Sequence, residues 1–187
     1  MDAAQNVLEF WFGTPAGAPR KKWFVKDPVF DEAIRARFLQ LHNSAALGGL
    51  ADWTGDERSA LALIVVTDQF PRNLFRGSPR AFETDELALA TAKQVIDMGW
   101  DKTMLPIERL FVYLPFEHSE SLVEQERSLA LYEPLQSFPE TADPENYPKR
   151  HWEIVKRFGR FPHRNAALGR KSTPGEIEFL KQPGSGF

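Results

Sequence analysis

A chain of 187 residues, 42% of them hydrophobic, is long enough to bury a large core and fits one domain, 1–187, more easily than two. It has no cysteine, which excludes disulfides, thiolate-bound metals and a cysteine nucleophile, and fits a reducing, cytoplasmic compartment. The net charge of −3 conceals a split: residues 149–171 hold eight basic residues and one acid, so the rest of the chain is acidic and would repel a phosphate backbone, which argues against a nucleic-acid partner.

The opening Met1-Asp2-Ala3-Ala4-Gln5 lacks a basic segment followed by an apolar core, so secretion is not expected. The apolar run Ala60–Val66 is far short of the roughly 20 residues of a membrane helix, so no membrane partner is expected either. Asp27-Pro28 reads as an N-cap with proline at the first helical position, followed by Phe30, Ile34, Phe38 and Leu41 at helical spacing. Thr54-Gly55-Asp56-Glu57 reads as a capping box that opens a helix through Gln69. Further helices are expected over 84–98, 106–114, 119–138 and 147–158, and Thr173–Glu176 reads as another capping box. Pro71, Pro115 and Pro162 are expected to end helices or to sit in turns. Residues 181–187, with glycine and proline, read as a loose tail. The fold class expected is all-α, built from antiparallel helical hairpins.

Three helices carry a polar side chain on the stripe that should face inward. Asp68 follows Leu61, Ile64 and Val65 on one face, Gln125 lies between Leu122 and Leu129, and His151 lies among Tyr147, Ile154 and Phe158. A buried carboxylate needs a partner, for which arginine is best suited, and Arg72 and Arg76 are near in sequence. The bland alternative is a satisfied structural network. The segment Phe116-Glu117-His118-Ser119-Glu120 combines an imidazole with two carboxylates and suits acid/base work, although Ser119 capping a helix with Glu120 in its first turn explains part of it. His118, His151 and His163 with a carboxylate could hold zinc, but no HExxH or paired short spacing supports it, so no metal or other cofactor is expected.

Between Arg157 and Arg170, arginines alternate with aromatics around Gly159 and Pro162, an arrangement that could hold guanidinium groups for a phosphate or carboxylate, bind single-stranded RNA, or neutralise internal acids such as Asp68, Glu117 and Glu120. Arg160-Phe161-Pro162-His163-Arg164-Asn165 also echoes Gln69-Phe70-Pro71-Arg72-Asn73.

Asp68 to Asn73 with Arg76, then Ala81-Phe82 and Asp85, then Pro115 with His118-Ser119-Glu120 and Gln125, then His151 and Arg157 to Arg170, together resemble the bacterial domain-of-unknown-function 924 family over nearly the whole chain. Gly175 departs from the acid that the family more often has in its closing helix. The resemblance implies an all-helical fold similar to tetratricopeptide-repeat domains and no established activity. The reading expected is a pocket for a small anionic ligand. His118, His151, His163, Asp68 and Glu120 are the candidates for acid/base chemistry, hydrolysis among them. Arg72, Asn73, Arg76, Gln125, Arg157, Arg160, Arg164, Asn165 and Arg170 are the candidates for binding. The alternative is a non-enzymatic scaffold for a protein or peptide.

Overall fold

The structure, a computed structural model, describes residues 2–143 and 145–186, and these form helices and turns with no strand among them. The expected domain span of 1–187 and tail of 181–187 include Met1, Pro144 and Phe187, which lie outside the described residues. Within the tail, 181–186 form mostly exposed turns, held to the preceding helices by Arg150 Nη2 donating to Gly184 O at 3.2 Å.

The first helix, α1 (Ala3–Phe12), is not among those read from the sequence. Its buried Ala4, Val7, Leu8, Trp11 and Phe12 recur at helical spacing, Asp2 caps it, and Gly13 ends it at a φ of 85°. In α2 (Pro28–Ala46) the Asp27 carboxylate accepts from the Val29 and Phe30 amides at 2.9 and 3.2 Å, as the capping signal implies. Trp11 ties these helices to the rest: it stacks on Trp23 and Phe30 and meets Phe70 and Phe111 edge-on, with ring centroids 5.6 to 6.1 Å apart.

The next segment departs from expectation. Thr54 does not cap α3 (Glu57–Ile64); it lies inside a 3-10 turn, Ala51–Gly55, where its hydroxyl donates to Ala51 O at 3.0 Å. Asp56, in extended backbone immediately before Glu57, is the cap and accepts from the Arg58 and Ser59 amides, both at 3.0 Å. The helix does not stop at Gln69 either. Val65–Gln69 widens into a π-helical turn in which the Phe70 amide reaches back to Val65 O, and α4 (Phe70–Leu74) continues the rod with Pro71 inside it.

Pro71 has no N–H, and the π turn diverts the Phe70 amide, so carbonyls along this stretch need other donors. Thr84 Oγ1 donates to Thr67 O at 2.6 Å, Arg72 Nη1 to Asp68 O at 2.6 Å, and His42 Nδ1 lies 3.1 Å from Val66 O.

The helices α5 (Asp85–Asp97), α6 (Pro106–Glu117), α7 (Leu122–Tyr132) and α8 (Tyr147–Phe158) each pack on the next in turn. Pro115 lies within α6 and does not break it. The expected helix over 119–138 begins later, at Leu122, and gives way to a 3-10 turn at Glu133–Ser137; Ser119 Oγ accepts from the Ser121 amide at 3.2 Å, ahead of the helix. Pro162 opens the 3-10 turn Pro162–Arg164, and α9 (Pro174–Leu180) carries the expected Thr173–Glu176 capping box. Apolar burial falls into two clusters. The larger runs from α1 to Leu135, and the smaller joins Ile154, Val155 and Phe161 to Phe158 and Phe179. The polar residues described next lie along the seam between them.

Thr84 is buried, and its hydroxyl supplies the donor that Pro71 lacks. Thr84→Val, which keeps the shape, is expected to destabilise the protein by about 1 to 3 kcal/mol by leaving Thr67 O unsatisfied. Urea unfolding measures this, and a loss of less than a few tenths would mean that the π turn does not rely on that bond.

Candidate functional site

Asp68 projects from the π turn with no exposed surface. Its carboxylate accepts from His118 Nδ1 at 2.8 and 3.0 Å and from Gln69 Nε2 at 2.5 Å, and Arg72 Nη1 stands 3.4 Å away. Burial pushes its pKa up, but the His118 ring, the Arg72 charge and Gln69 outweigh this and hold it at about 2. Burial lowers the His118 pKa below 6.5, and Arg72 lowers it further, against the pull of Asp68. At neutral pH a carboxylate therefore faces a neutral imidazole. Because the carboxylate only accepts, Nδ1 carries the proton, and the lone pair lies on Nε2. Nε2 has no hydrogen-bonding partner among the described residues, and the His118 side chain retains 15% exposure.

The two echoed segments meet on one carboxylate. Arg72 donates to both oxygens of Asp85, at 2.8 and 3.1 Å, and Arg164 donates to Asp85 Oδ2 at 3.2 Å. Both guanidinium groups lie over the Phe82 ring, at 5.8 and 4.7 Å, and each also holds a backbone carbonyl: Arg72 that of Asp68, Arg164 that of His118 at 2.9 Å. Arg164 is 6% exposed, and its Nε–H has no hydrogen-bonding partner among the described residues. Burial, then the nearby Arg72 charge, lowers the Arg164 pKa to about 10, so the group stays cationic at neutral pH.

Other expected residues support this centre. Gln125 Nε2 donates to Glu117 O at 2.6 Å and Ser119 O at 2.7 Å, so it closes the end of α6 beside His118. His151 Nδ1 lies 2.9 Å from both the Tyr147 carbonyl and the buried Glu117 carboxylate, and its ring centroid is 6.4 Å from that of His118. The Tyr132 hydroxyl also faces Glu117; burial first and that carboxylate second raise its pKa well above 10. His163 lies against Phe161, with centroids 5.5 Å apart, and burial with the Arg164 charge lowers its pKa to about 3.

Glu120 is not open for proton transfer. Arg170 grips both its oxygens at 2.7 and 2.9 Å, and the Phe161 amide donates to it at 2.7 Å. Burial raises its pKa, but these bonds overcome that and lower it overall. Asn165 accepts from Arg170 Nε at 3.0 Å and so braces the same pair.

Four expected binding residues are not brought to this cluster. Arg76 and Asn73 hold Asp31 on α2, Arg160 holds Glu176 of α9 at 2.7 and 2.9 Å, and Arg157 stacks on Phe158. Two surface cavities lie elsewhere: about 560 Å³ between α7 and α8, and about 340 Å³ beside Phe179. Of the expected site residues, only Arg157 lines either. Among the described residues, no group of three or more histidines and carboxylates is placed to hold a metal. Glu117 and Tyr132 were not among the expected site residues, although Tyr132 follows Gln125 by seven residues on the same inward stripe.

A family profile described as a bacterial protein of unknown function, DUF924, matches residues 7–184. The chain belongs to this family. Its fold is similar to the solved structure of a protein of unknown function from Agrobacterium tumefaciens, at 39% identity, a TM-score of 0.85 and coverage of 95% of this chain and 96% of that one. No curated protein matches the chain. Family and neighbour establish the all-α fold; the chemistry of the site rests on its own geometry.

His118 and His163 both have folded pKa values below 6.5, so the native state binds fewer protons than the unfolded chain. Their contribution to stability is complete above pH 6.5 and is lost as pH falls below it, down to about 3 for His163. The low Asp68 pKa acts in the same direction, with loss between about 4 and 2. These groups should therefore leave the unfolding free energy flat between about pH 7 and 8 and make it fall by up to about 1.4 kcal/mol per pH unit for each such histidine below 6.5. In His163→Phe the slope between pH 6 and 4 should be shallower; an unchanged slope would show that His163 titrates normally.

Proposed function

We propose that this protein binds a small anionic molecule, a phosphate or a carboxylate, at Arg72, Arg164 and His118, and that His118, aligned by Asp68, moves a proton on the bound molecule or on a water beside it. The observation that carries this reading is a pair of unused groups on two residues in contact, since Arg164 Nη2 donates to His118 O at 2.9 Å: among the described residues the buried Arg164 Nε–H has no acceptor and the His118 Nε2 lone pair no donor. Two guanidinium groups that share Asp85 can turn towards a second anion without leaving their first partner. In a hydrolytic version, Nε2 takes a proton from water as the oxygen attacks and returns it to the leaving group. A soluble, cytoplasmic protein acting on a phosphorylated or carboxylated metabolite fits the absence of cysteine and the lack, among the described residues, of a helix long and apolar enough to cross a membrane.

The alternative, a scaffold for a peptide, draws on one feature, the groove between α7 and α8 lined by Leu129, Pro148, Lys149 and Trp152.

Inorganic phosphate, sulfate and a panel of phosphorylated and carboxylated metabolites, tested by thermal shift, separate the readings. A ligand at 100 times its Kd should stabilise the protein by about 2.7 kcal/mol. Arg164→Gln should remove that rise, whereas His118→Gln, which leaves both guanidinium groups in place, should keep part of the binding and lose turnover. If no anion raises the Tm, and Arg164→Gln destabilises by about 3 to 5 kcal/mol, the arginine is an internal counter-ion and the reading fails.

A further inference from the structure

In the C-terminal segment Arg150, Arg160, Arg164 and Arg170 pair with acids, whereas in the other basic stretch no cation does so among the described residues. Residues 20–29 contain Arg20, Lys21, Lys22 and Lys26 with a single acid, Asp27, in a chain whose net charge is −3. None of these four cations forms a salt bridge among the described residues. The acids close to them are occupied: Asp27 caps α2, and Asp31 is held by Arg76 and Asn73. Arg20 turns inward to the carbonyls of Phe10 and Trp11 at 2.7 and 2.6 Å, and Lys22 lies over the Phe30 ring at 4.3 Å. Arg37 covers the face of Phe10 at 4.7 Å, so cationic groups border the aromatic cluster at this end of the molecule. Lys21 and Lys26 stand in solvent.

Large apolar side chains accompany them. Phe24 is 65% exposed, Val25 47% and Val29 80%, although they are separated by no more than five positions. An isolated exposed apolar residue needs no explanation, but three beside unpaired cations do.

We propose that this surface, at the turn before α2 and its first residues, docks on an anionic bilayer. Phe24, Val25 and Val29 would enter the boundary between head groups and acyl chains, and Lys21, Lys22 and Lys26 would lie against the lipid phosphates. Two of the three exposed apolar side chains are aliphatic valines, on which bases do not stack, and Trp23 is buried, so the surface with its single exposed ring, Phe24, favours lipid over nucleic acid. This contact is peripheral, and the expectation of no membrane partner did not anticipate it. It shares no residue with the Asp68–His118 site and stands or falls independently of the anion reading.

Sedimentation of the full chain with vesicles of phosphatidylcholine alone, or mixed with phosphatidylglycerol, tests it. Binding to the anionic vesicles is expected, weakening as salt rises, with little binding to the neutral ones. Lys21→Gln and Lys26→Gln should each lower the partition coefficient about fivefold, the equivalent of about 1 kcal/mol per lysine. Val29→Ser and Phe24→Ser should lower it without changing the circular dichroism; Val29 is the safer of the two, since Phe24 also stacks on Phe111 at 6.4 Å. No partition onto anionic vesicles, equal partition onto neutral ones, or partition that none of these substitutions changes would overturn the proposal. Retention on a single-stranded polynucleotide without vesicle binding would overturn it too, in favour of a polyanion partner.

Discussion

A carboxylate with no exposed surface must either lose its charge or be surrounded by donors, and Asp68 is surrounded by donors. That one requirement organises the centre of the molecule. It draws His118 from the end of α6, Gln69 from the same π turn, and Arg72 from one turn further on. Arg72 in turn brings Asp85 from the start of α5, and Asp85 brings Arg164 from the C-terminal segment. The chain of contacts crosses the seam between the two apolar clusters, so it joins parts that hydrophobic contact alone leaves separate.

The backbone beneath Asp68 explains why the carboxylate can sit there. A regular α-helix with proline at position 71 would leave a carbonyl orphaned and a clash to relieve. The π turn absorbs the extra residue, and Thr84, His42 and the Arg72 side chain serve the carbonyls around it. Arg72 has two roles at once, since it satisfies Asp68 O and sets the charge beside the Asp68 carboxylate. Loss of that side chain would disturb backbone and electrostatics together.

Charge is distributed in two different ways. In the C-terminal segment, Arg160, Arg164 and Arg170 are directed to Glu176, Asp85 and Glu120, so part of what composition presents as a basic stretch is neutralised within the fold. Arg164 stands apart, because it shares its acid with Arg72 and keeps one N–H unused. The lysines before α2 have no such partners, and their charge is available to whatever meets that surface.

The sequence by itself determined the helical class, the capping of α2 by Asp27 and of α9 by Thr173, the extent of α8, and the inward placement of Asp68, Gln125 and His151. These depend on spacing and caps, which are local. The echo between Phe70-Pro71-Arg72-Asn73 and Phe161-Pro162-His163-Arg164-Asn165 was visible too, but its meaning was not, since nothing local says that both arginines reach Asp85. The sequence misplaced the start of α3 and α7 and took Pro71 and Pro115 for helix ends or turn residues, whereas both lie within helices; at Pro71 a π turn and the Thr84 hydroxyl from a distant segment supply what proline removes. Only the tertiary structure decided which arginine meets which acid. Guanidinium groups on long side chains are matched by distance in space, and a sequence gives no such distances. For that reason Arg76 and Arg160, which looked equal to Arg72 and Arg164 in the sequence, hold helices together elsewhere, and Glu117 and Tyr132 stand beside His151.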